Sequence, residues 1–479
     1  MIGGEGEPMT SRRIGFWLGL ALMAVTIVLP PPAGMEPPAW YMAGLVCWMA
    51  AWWMTQAIPL SATALLPFIV LPLAGVSGAK AVASSYYSPI IFLILGGAML
   101  ALAIERTGLH RRLARGLVRM GGRSAFSMLL AFMAATALLS MLISNTSSAL
   151  IMVPMALAVI AGGTGEEGDE PRQSGIAGAL PIGIAFAATI GGFGTIVGTP
   201  TNAIAVALLD EMLGVKISFA RWMAFGLPLV VISLPIAAWL IARVQRLSTD
   251  RFDIDAARAA LACEPNWSTP QKRMGVIIAL AFAGWLIAPF VGIYLPPDSL
   301  TDGTVAVVAA LILFVLPDGT GRPMLTWKEA NRAPWDVLLL FGGGLALAGG
   351  MGASGLADWL GQMLLPLKAV PLFLVAMAIC ALVIVITEFA SNVATGSAII
   401  PVVAGLIAAL GVDPILLAMP AAIAASWGFM LPAGTGPNAI AWSSGRIALP
   451  AMIKSGLLLD VVGVILLPGV IWLVAAVIR

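Results

Sequence analysis

Charge is what this sequence has least of. Only 10% of its 479 residues are Asp, Glu, Lys or Arg, against about 25% in water-soluble domains. With 60% hydrophobic residues and a mean hydropathy of +1.01, a soluble domain with a large core is excluded. Histidine is nearly absent as well. His110, the single one, stands among arginines, where a surface position is expected. That scarcity argues against histidine proton relays and metal chemistry. The three cysteines, Cys47, Cys263 and Cys380, have neither metal-ligand spacing nor a pairing pattern and read as small apolar residues. Nothing marks a nucleic-acid partner or an organic cofactor.

What the chain has instead is apolar length. Runs able to cross about 30 Å of hydrocarbon recur throughout, as in an all-α polytopic membrane protein. Its place is the plasma membrane (the inner membrane in a bacterium), with the lipid bilayer as its first partner. Ser11-Arg12-Arg13 ahead of the first run faintly resembles a twin-arginine signal. Arginines before a first span also follow from the positive-inside rule, and an uncleaved first helix is expected.

Hydropathy predicts about 11 transmembrane helices and two re-entrant hairpins. Spans fall near 14–30, 39–56, 58–75 and 87–105. Arg106–Arg123 interleaves arginines with leucines, which suits an amphipathic helix on the anionic inner leaflet. The organisation expected is 1–86 as N-terminal spans, 87–245 as a first repeat, 246–274 as a cytoplasmic linker, 275–334 as further spans with a loop, and 335–479 as a second repeat. Each repeat holds a hairpin (125–163; 371–411) and then a broken helix (176–210; 414–445).

Two polar clusters sit inside those hairpins. Ser140-x3-Ser144-Asn145-Thr146 has a second version in Thr387-x2-Ala390-Ser391-Asn392. Polar residues at membrane depth are costly unless they meet partners, so a small uncharged cluster there is a functional hypothesis by default. The order around them repeats too. Leu95-Gly96-Gly97-Ala98 answers Phe341-Gly342-Gly343-Gly344, and Gly198-Thr199-Pro200-Thr201-Asn202 answers Gly434-Thr435-Gly436-Pro437-Asn438. Proline and glycine there predict local unwinding. Matching interruptions in two halves point to a transport site near the midplane of inverted repeats.

Threading the chain with the N-terminus in the cytoplasm and the C-terminus outside puts about 20 of its 25 basic residues inside. Lys80, Lys216, Arg221, Lys368 and Arg479 remain outside. This is the bias the positive-inside rule asks for.

The core segments 125–160, 176–209, 371–411 and 414–445 contain no Lys, Arg or His, and their one acid is Glu388. A hairpin flank facing a wet cavity is the expected setting for Glu388, a proton or cation site the alternative. The polar inventory is Ser144, Asn145, Thr146, Thr199, Ser391, Asn392, Thr395 and Thr435. Half-helix N-termini favour carboxylates, and unwound carbonyls suit Na⁺. Helix ends supply only about half a unit of positive charge each. A small dianionic substrate that finds no fixed arginine therefore calls for bound cations.

In these paired motifs the chain resembles the divalent anion/sodium symporter family, from about residue 40 to the end. The resemblance implies a homodimer with a scaffold domain (1–86 and 275–334 here) and a moving transport domain. It implies one sodium site from Ser140, Ser144, Asn145 and Gly198 and another from Thr387, Ala390, Asn392 and Gly434. Ser144, Asn145, Thr146, Ser391, Asn392 and Thr435 would meet the substrate, with Thr199 the counterpart of Thr435. Val393 departs from the pattern, which often has threonine there, and Thr201 and Gly436 replace prolines.

The function expected is sodium-coupled uptake of C4-dicarboxylates such as succinate, with sodium as co-ion. A sodium-independent dicarboxylate exchanger on the same fold is the alternative, and sulfate or citrate could take succinate's place. A membrane-embedded enzyme would need a base or metal ligands beside its nucleophile, and the core offers no histidine or lysine. The threading makes a direct prediction. Single cysteines at Arg123 and Lys368, in a background without native cysteines, will be labelled from opposite faces. Labelling from one face would remove the inverted repeat.

Overall fold

The computed structural model describes residues 9–119, 124–164, 172–247, 266–296 and 299–478. Most of the expected linker 246–274, with Cys263, lies outside the described residues, as do Arg123 and residues 165–171. The described chain is helical, with one isolated β-bridge between Pro317 and Pro323.

The first part runs α1 (Met9–Val28), α2 (Pro37–Thr55), α3 (Leu60–Thr63), α4 (Leu66–Leu73), α5 (Ala79–Ser85), α6 (Pro89–Thr107) and α7 (Leu109–Arg119). Next come α8 (Ala125–Ser140), α9 (Asn145–Thr164), α10 (Ile176–Gly192), α11 (Pro200–Leu213) and α12 (Phe219–Val244). Then follow α13 (Thr269–Val291), α14 (Asp302–Val315), α15 (Trp327–Ala330), α16 (Trp335–Ala353) and α17 (Leu356–Met363). The last are α18 (Leu372–Phe389), α19 (Asn392–Leu410), α20 (Pro414–Ala424), α21 (Gly436–Ser443) and α22 (Leu449–Ile478). Nine helices among the described residues are long and apolar enough to cross a membrane, and five shorter apolar ones accompany them. The chain is a multi-pass, all-α membrane protein.

Local chemistry sets the boundaries. Ser124 and Ser127 form a capping box at the start of α8, and Ser268 with Gln271 does so for α13. The run 58–75, expected as one span, is split instead into α3 and α4. Pro67 lies in the first turn of α4, and the Tyr86 hydroxyl takes the Ala64 carbonyl at the split (2.5 Å). Pro67 has no N–H to give to the Thr63 carbonyl, and the Phe68 amide turns to Leu65 (3.1 Å), so the helix restarts.

The centre of the molecule is α10. All its residues, Ile176 to Gly192, are buried, so it is apolar on every face, as an enclosed helix must be. It packs on α8, α9, α12 and α21. Gly191 makes the approach to α8 possible, since a Cβ there would run into the Ala137 backbone. A smaller cluster joins α2, α4 and α16 through Met42, Trp53, Leu71 and Leu347. Against the expectation of a surface position, His110 is buried. Its Nδ1 lies 3.0 Å from the Ile104 carbonyl, because α7 turns its apolar stripe, and His110 with it, toward α8.

A polar clasp closes the loop between α14 and α16. Arg106, at the end of α6, pairs with Asp318, and its Nε lies 3.6 Å from Glu329. Thr320 hydrogen bonds draw the Asp318 carboxyl far below its usual range; burial opposes them, and the Thr320 amide and Arg106 add to them. For Glu329, burial pushes upward, but the Thr326 amide, Arg322 and the Thr326 hydroxyl together hold its carboxyl at about 2. Both values are depressed, so the stabilisation is complete above the ordinary carboxylate range and disappears as pH falls through the folded-state values. Hydrogen exchange across 316–332, corrected for intrinsic rates, will show unchanged protection from about pH 7 to 5 and falling protection from about pH 4.5 toward 2. Loss already complete at pH 5 would contradict this assignment.

Candidate functional site

The first polar cluster lies where α8 ends and α9 begins. Ser144 caps α9, its Oγ accepting the Ser147 amide (3.1 Å) and donating to Ser147 Oγ (2.9 Å). Ser140, fully buried, has its Oγ 2.6 Å from the Ala188 carbonyl and 2.5 Å from Asn145 Oδ1. That end of the Asn145 amide also lies 3.1 Å from the carbonyls of Ala188 and Gly198. With the nitrogen turned inward, the amide's two N–H groups would face these three oxygens as donors. With Oδ1 inward, one O–H stands among four oxygens, an arrangement a bound cation satisfies. Ser140, Asn145 and Gly198 are thus brought together, while the Ser144 side chain is occupied at the cap.

The second cluster repeats the design. Thr387 Oγ1 lies 2.6 Å from the Ala425 carbonyl and 2.9 Å from Asn392 Oδ1. Ala390 ends α18 in extended conformation (φ −125°, ψ 160°) and Ser391 starts α19 without a side-chain cap bond. Gly434 packs instead against Glu388, where a Cβ would stand 3.6 Å from its carbonyl oxygen and 3.7 Å from Oε2.

Both broken helices unwind where proline and glycine were expected to break them. Between α10 and α11 the chain makes a short 3₁₀ turn, Ile196–Gly198, and Thr199 begins α11 in extended conformation. Between α20 and α21 it runs from Ala425 to Thr435, whose Oγ1 accepts the Asn438 amide (3.2 Å). One asparagine ties down each break. Asn202 Nδ2 donates to the carbonyls of Gly192 (2.7 Å) and Thr195 (2.8 Å), and Asn438 Nδ2 to that of Leu431 (2.9 Å). Trp222 Nε1 adds a bond to the Phe193 carbonyl (2.9 Å) and Thr195 Oγ1 one to that of Met141 (2.8 Å).

Glu388 departs from expectation. It faces no wet cavity: it is 1% exposed, and its carboxylate accepts the amides of Phe429 (2.5 Å), Met430 (2.9 Å) and Leu431 (3.2 Å). Asp460 of α22, also buried, lies beside the same carboxyl. An unwound segment in an apolar interior must find acceptors for its amides, and Glu388 supplies them.

The halves meet crosswise. A Cβ on Gly436, at the start of α21, would stand 2.6 Å from Thr146 Oγ1 in the first turn of α9. One on Gly396 of α19 would stand 2.9 Å from the Thr201 methyl of α11. Ser144, Ser147, Gly198 and Thr199 line a cavity of about 280 Å³, whose wall does not take in Ser391, Asn392 or Thr435. Glu105 and Arg332 also face it. A guanidinium therefore adjoins the site from outside the core segments. A second cavity of about 340 Å³ shares Leu102, Glu105, Ser147 and Arg332 and extends past Arg106, His110 and Arg111.

Residues 11–478 match the sodium:sulfate symporter transmembrane region. The chain belongs to that family. Its members here are transporters, not enzymes. The sodium-dependent dicarboxylate transporter SdcS of Staphylococcus aureus (strain MRSA252) is 37% identical over 97% of this chain and 91% of its own length. SdcS of Staphylococcus saprophyticus subsp. saprophyticus is 36% identical over 96% and 91%. Among solved structures, the Alcanivorax borkumensis YdaH transporter superposes with a TM-score of 0.60 at 16% identity, covering 96% of this chain and 98% of its own. Neisseria gonorrhoeae MtrF does so with 0.55 at 11%, covering 98% and 95%. These two share the fold.

For this symporter-family chain, sequence reasoning missed the Ala188 and Ala425 carbonyls, which no residue type announces. It also missed Ser147, and the tying role of Asn202 and Asn438, although the repeated Gly-Thr-x-x-Asn spacing was there to signal it. Replacing Asn202 by Ala takes the side-chain donor from two buried carbonyls, of which that of Thr195 keeps the Gly198 amide (3.3 Å). The expected cost is about 1–3 kcal/mol, seen as a lower midpoint of thermal unfolding in detergent. An unchanged midpoint would mean that the break does not depend on this tie.

Proposed function

We propose that the chain couples uptake of C4-dicarboxylates such as succinate to sodium across the plasma membrane. The observation that carries this reading is the recurrence of one oxygen cluster in both halves. Ser140, Asn145, Ala188 and Gly198 form the first, and Thr387, Asn392 and Ala425 the second. Hydroxyl, amide and carbonyl oxygens suit a hard monovalent cation. Na⁺ would bind to these groups, with Gly434 and the Ala390 carbonyl completing the second site.

The substrate would lie against Ser144, Asn145, Thr146 and Thr199 from one half and Ser391, Asn392 and Thr435 from the other. Four half-helices, α9, α11, α19 and α21, begin at or beside these residues, so their amide ends favour carboxylates. Two full negative charges against fractional helix charges and the one guanidinium of Arg332 are balanced by sodium, which ties anion affinity to the cation. The names of the SdcS relatives, sodium-dependent dicarboxylate transporters, support the same pairing of cargoes. Alternating access of the elevator type, a homodimer, a cytoplasmic N-terminus and an outer C-terminus complete the proposal.

The test is uptake of labelled succinate into proteoliposomes, with and without a sodium gradient and with and without internal succinate. Sulfate and citrate serve as competitors. Sodium-driven uptake into empty vesicles is expected; uptake that needs internal succinate and ignores sodium would identify an exchanger. Asn145→Ala and Asn392→Ala will each abolish uptake while leaving a folded, inserted protein, since each amide offers both a donor and an acceptor at its hairpin tip. Near wild-type rates in both variants would remove the site assignment.

A further inference from the structure

The two oxygen clusters share a design, but their supports differ in charge. In the first half the unwound strip is held by neutral groups: Asn202, the Trp222 indole and the Thr195 hydroxyl. The residue after Ser140 there is Met141, which contributes only its carbonyl. In the second half the residue after Thr387 is Glu388, and a buried carboxylate takes three consecutive amides of the strip. The strip begins at Ala425, whose carbonyl is bonded by Thr387, and ends at Gly434, packed against Glu388 itself.

We propose that Glu388 is a positioning residue for the second cation cluster, and that through it the two halves differ in their hold on sodium. This inference rests on the proposed sodium coupling. Amide and carbonyl of one peptide point in opposite directions. Drawing the amides of Phe429, Met430 and Leu431 onto Glu388 therefore turns the carbonyls of Gly428, Phe429 and Met430 away from it. What the fold leaves near Thr387 is the Ala425 carbonyl at the start of the strip, with Gly428 against the Thr387 side chain. Three charge-assisted bonds from one carboxylate hold the strip directly after Gly428, more firmly than neutral bonds can. The carboxylate also stands one residue from Thr387 in a low-dielectric interior, where its field favours a cation. Met141 provides neither effect, so the first cluster relies on its oxygens alone.

The experiment separates sodium from substrate. Sodium-dependent thermal stabilisation without substrate, and succinate uptake across sodium concentrations, are measured for Glu388→Gln and Glu388→Asp. Glutamine turns a donor toward amides that need an acceptor, so half-saturating sodium will rise about tenfold, the equivalent of one charge-assisted bond. The KM for succinate at saturating sodium will stay within about twofold, because Glu388 bonds the strip and not the proposed substrate residues. Glu388→Asp keeps the charge at shorter reach and will recover part of the loss. It also serves as the test should the glutamine variant fail to fold. Placed on Thr387→Ala, Glu388→Gln will weaken sodium no further, since both act through one site. Equal changes in the sodium and succinate constants, no change in either, or full additivity with Thr387→Ala would overturn the assignment. A wild-type chain indifferent to sodium would overturn the proposed function with it.

Discussion

A helix interrupted inside an apolar interior leaves main-chain amides and carbonyls that water cannot reach, and the structure is arranged around answering them. Four interruptions meet near the centre, two at the hairpin tips and two at the breaks after α10 and α20. Asn202 and Asn438 take carbonyls, Glu388 takes amides, and Trp222 and Thr195 take what remains. At the first tip the oxygens of Ser140, Ala188 and Gly198 converge on one end of the Asn145 amide. Scaffold and site are thus built from the same main-chain groups.

Much of the fold was legible because apolar length and helix length are the same quantity in a bilayer. The runs predicted near 39–56 and 87–105 become α2 and α6 with ends moved by about two residues. The breaks were legible because proline and glycine act locally. In the run 58–75 the division was missed: Pro67 opens the second helix, and the Ala64 carbonyl at the split is met by Tyr86, 22 residues away. His110 and Glu388 were misjudged for a related reason. A polar side chain reads as wet unless its partners are known, and those partners, the Ile104 carbonyl and the amides of Phe429–Leu431, are main-chain groups without a sequence signature. Half of the candidate site was hidden in the same way: the hydroxyls and amides of the motifs could be named, the carbonyls opposite them could not.

The resemblance between the halves is closest in neutral chemistry and ends at charge. Ser140 and Thr387 each reach a carbonyl at the end of a neighbouring helix and an amide five residues on. Phe193 and Phe429 each follow a glycine, Gly192 and Gly428. Against this background, Glu388 and Asp460 add two acids to one side of an otherwise uncharged centre. The two clusters share their neutral groups and differ in the charge beside them.

The burial of α10 on every face has a mechanical consequence. A helix that touches lipid or water on one side can slide or roll by exchanging soft neighbours; α10 has none to exchange. Any shift of it displaces close-packed side chains all round, and close-packed interiors yield very little. The Ala188 carbonyl is therefore anchored to a rigid axle, and the Ser140 hydroxyl bonded to it is held to the same axle.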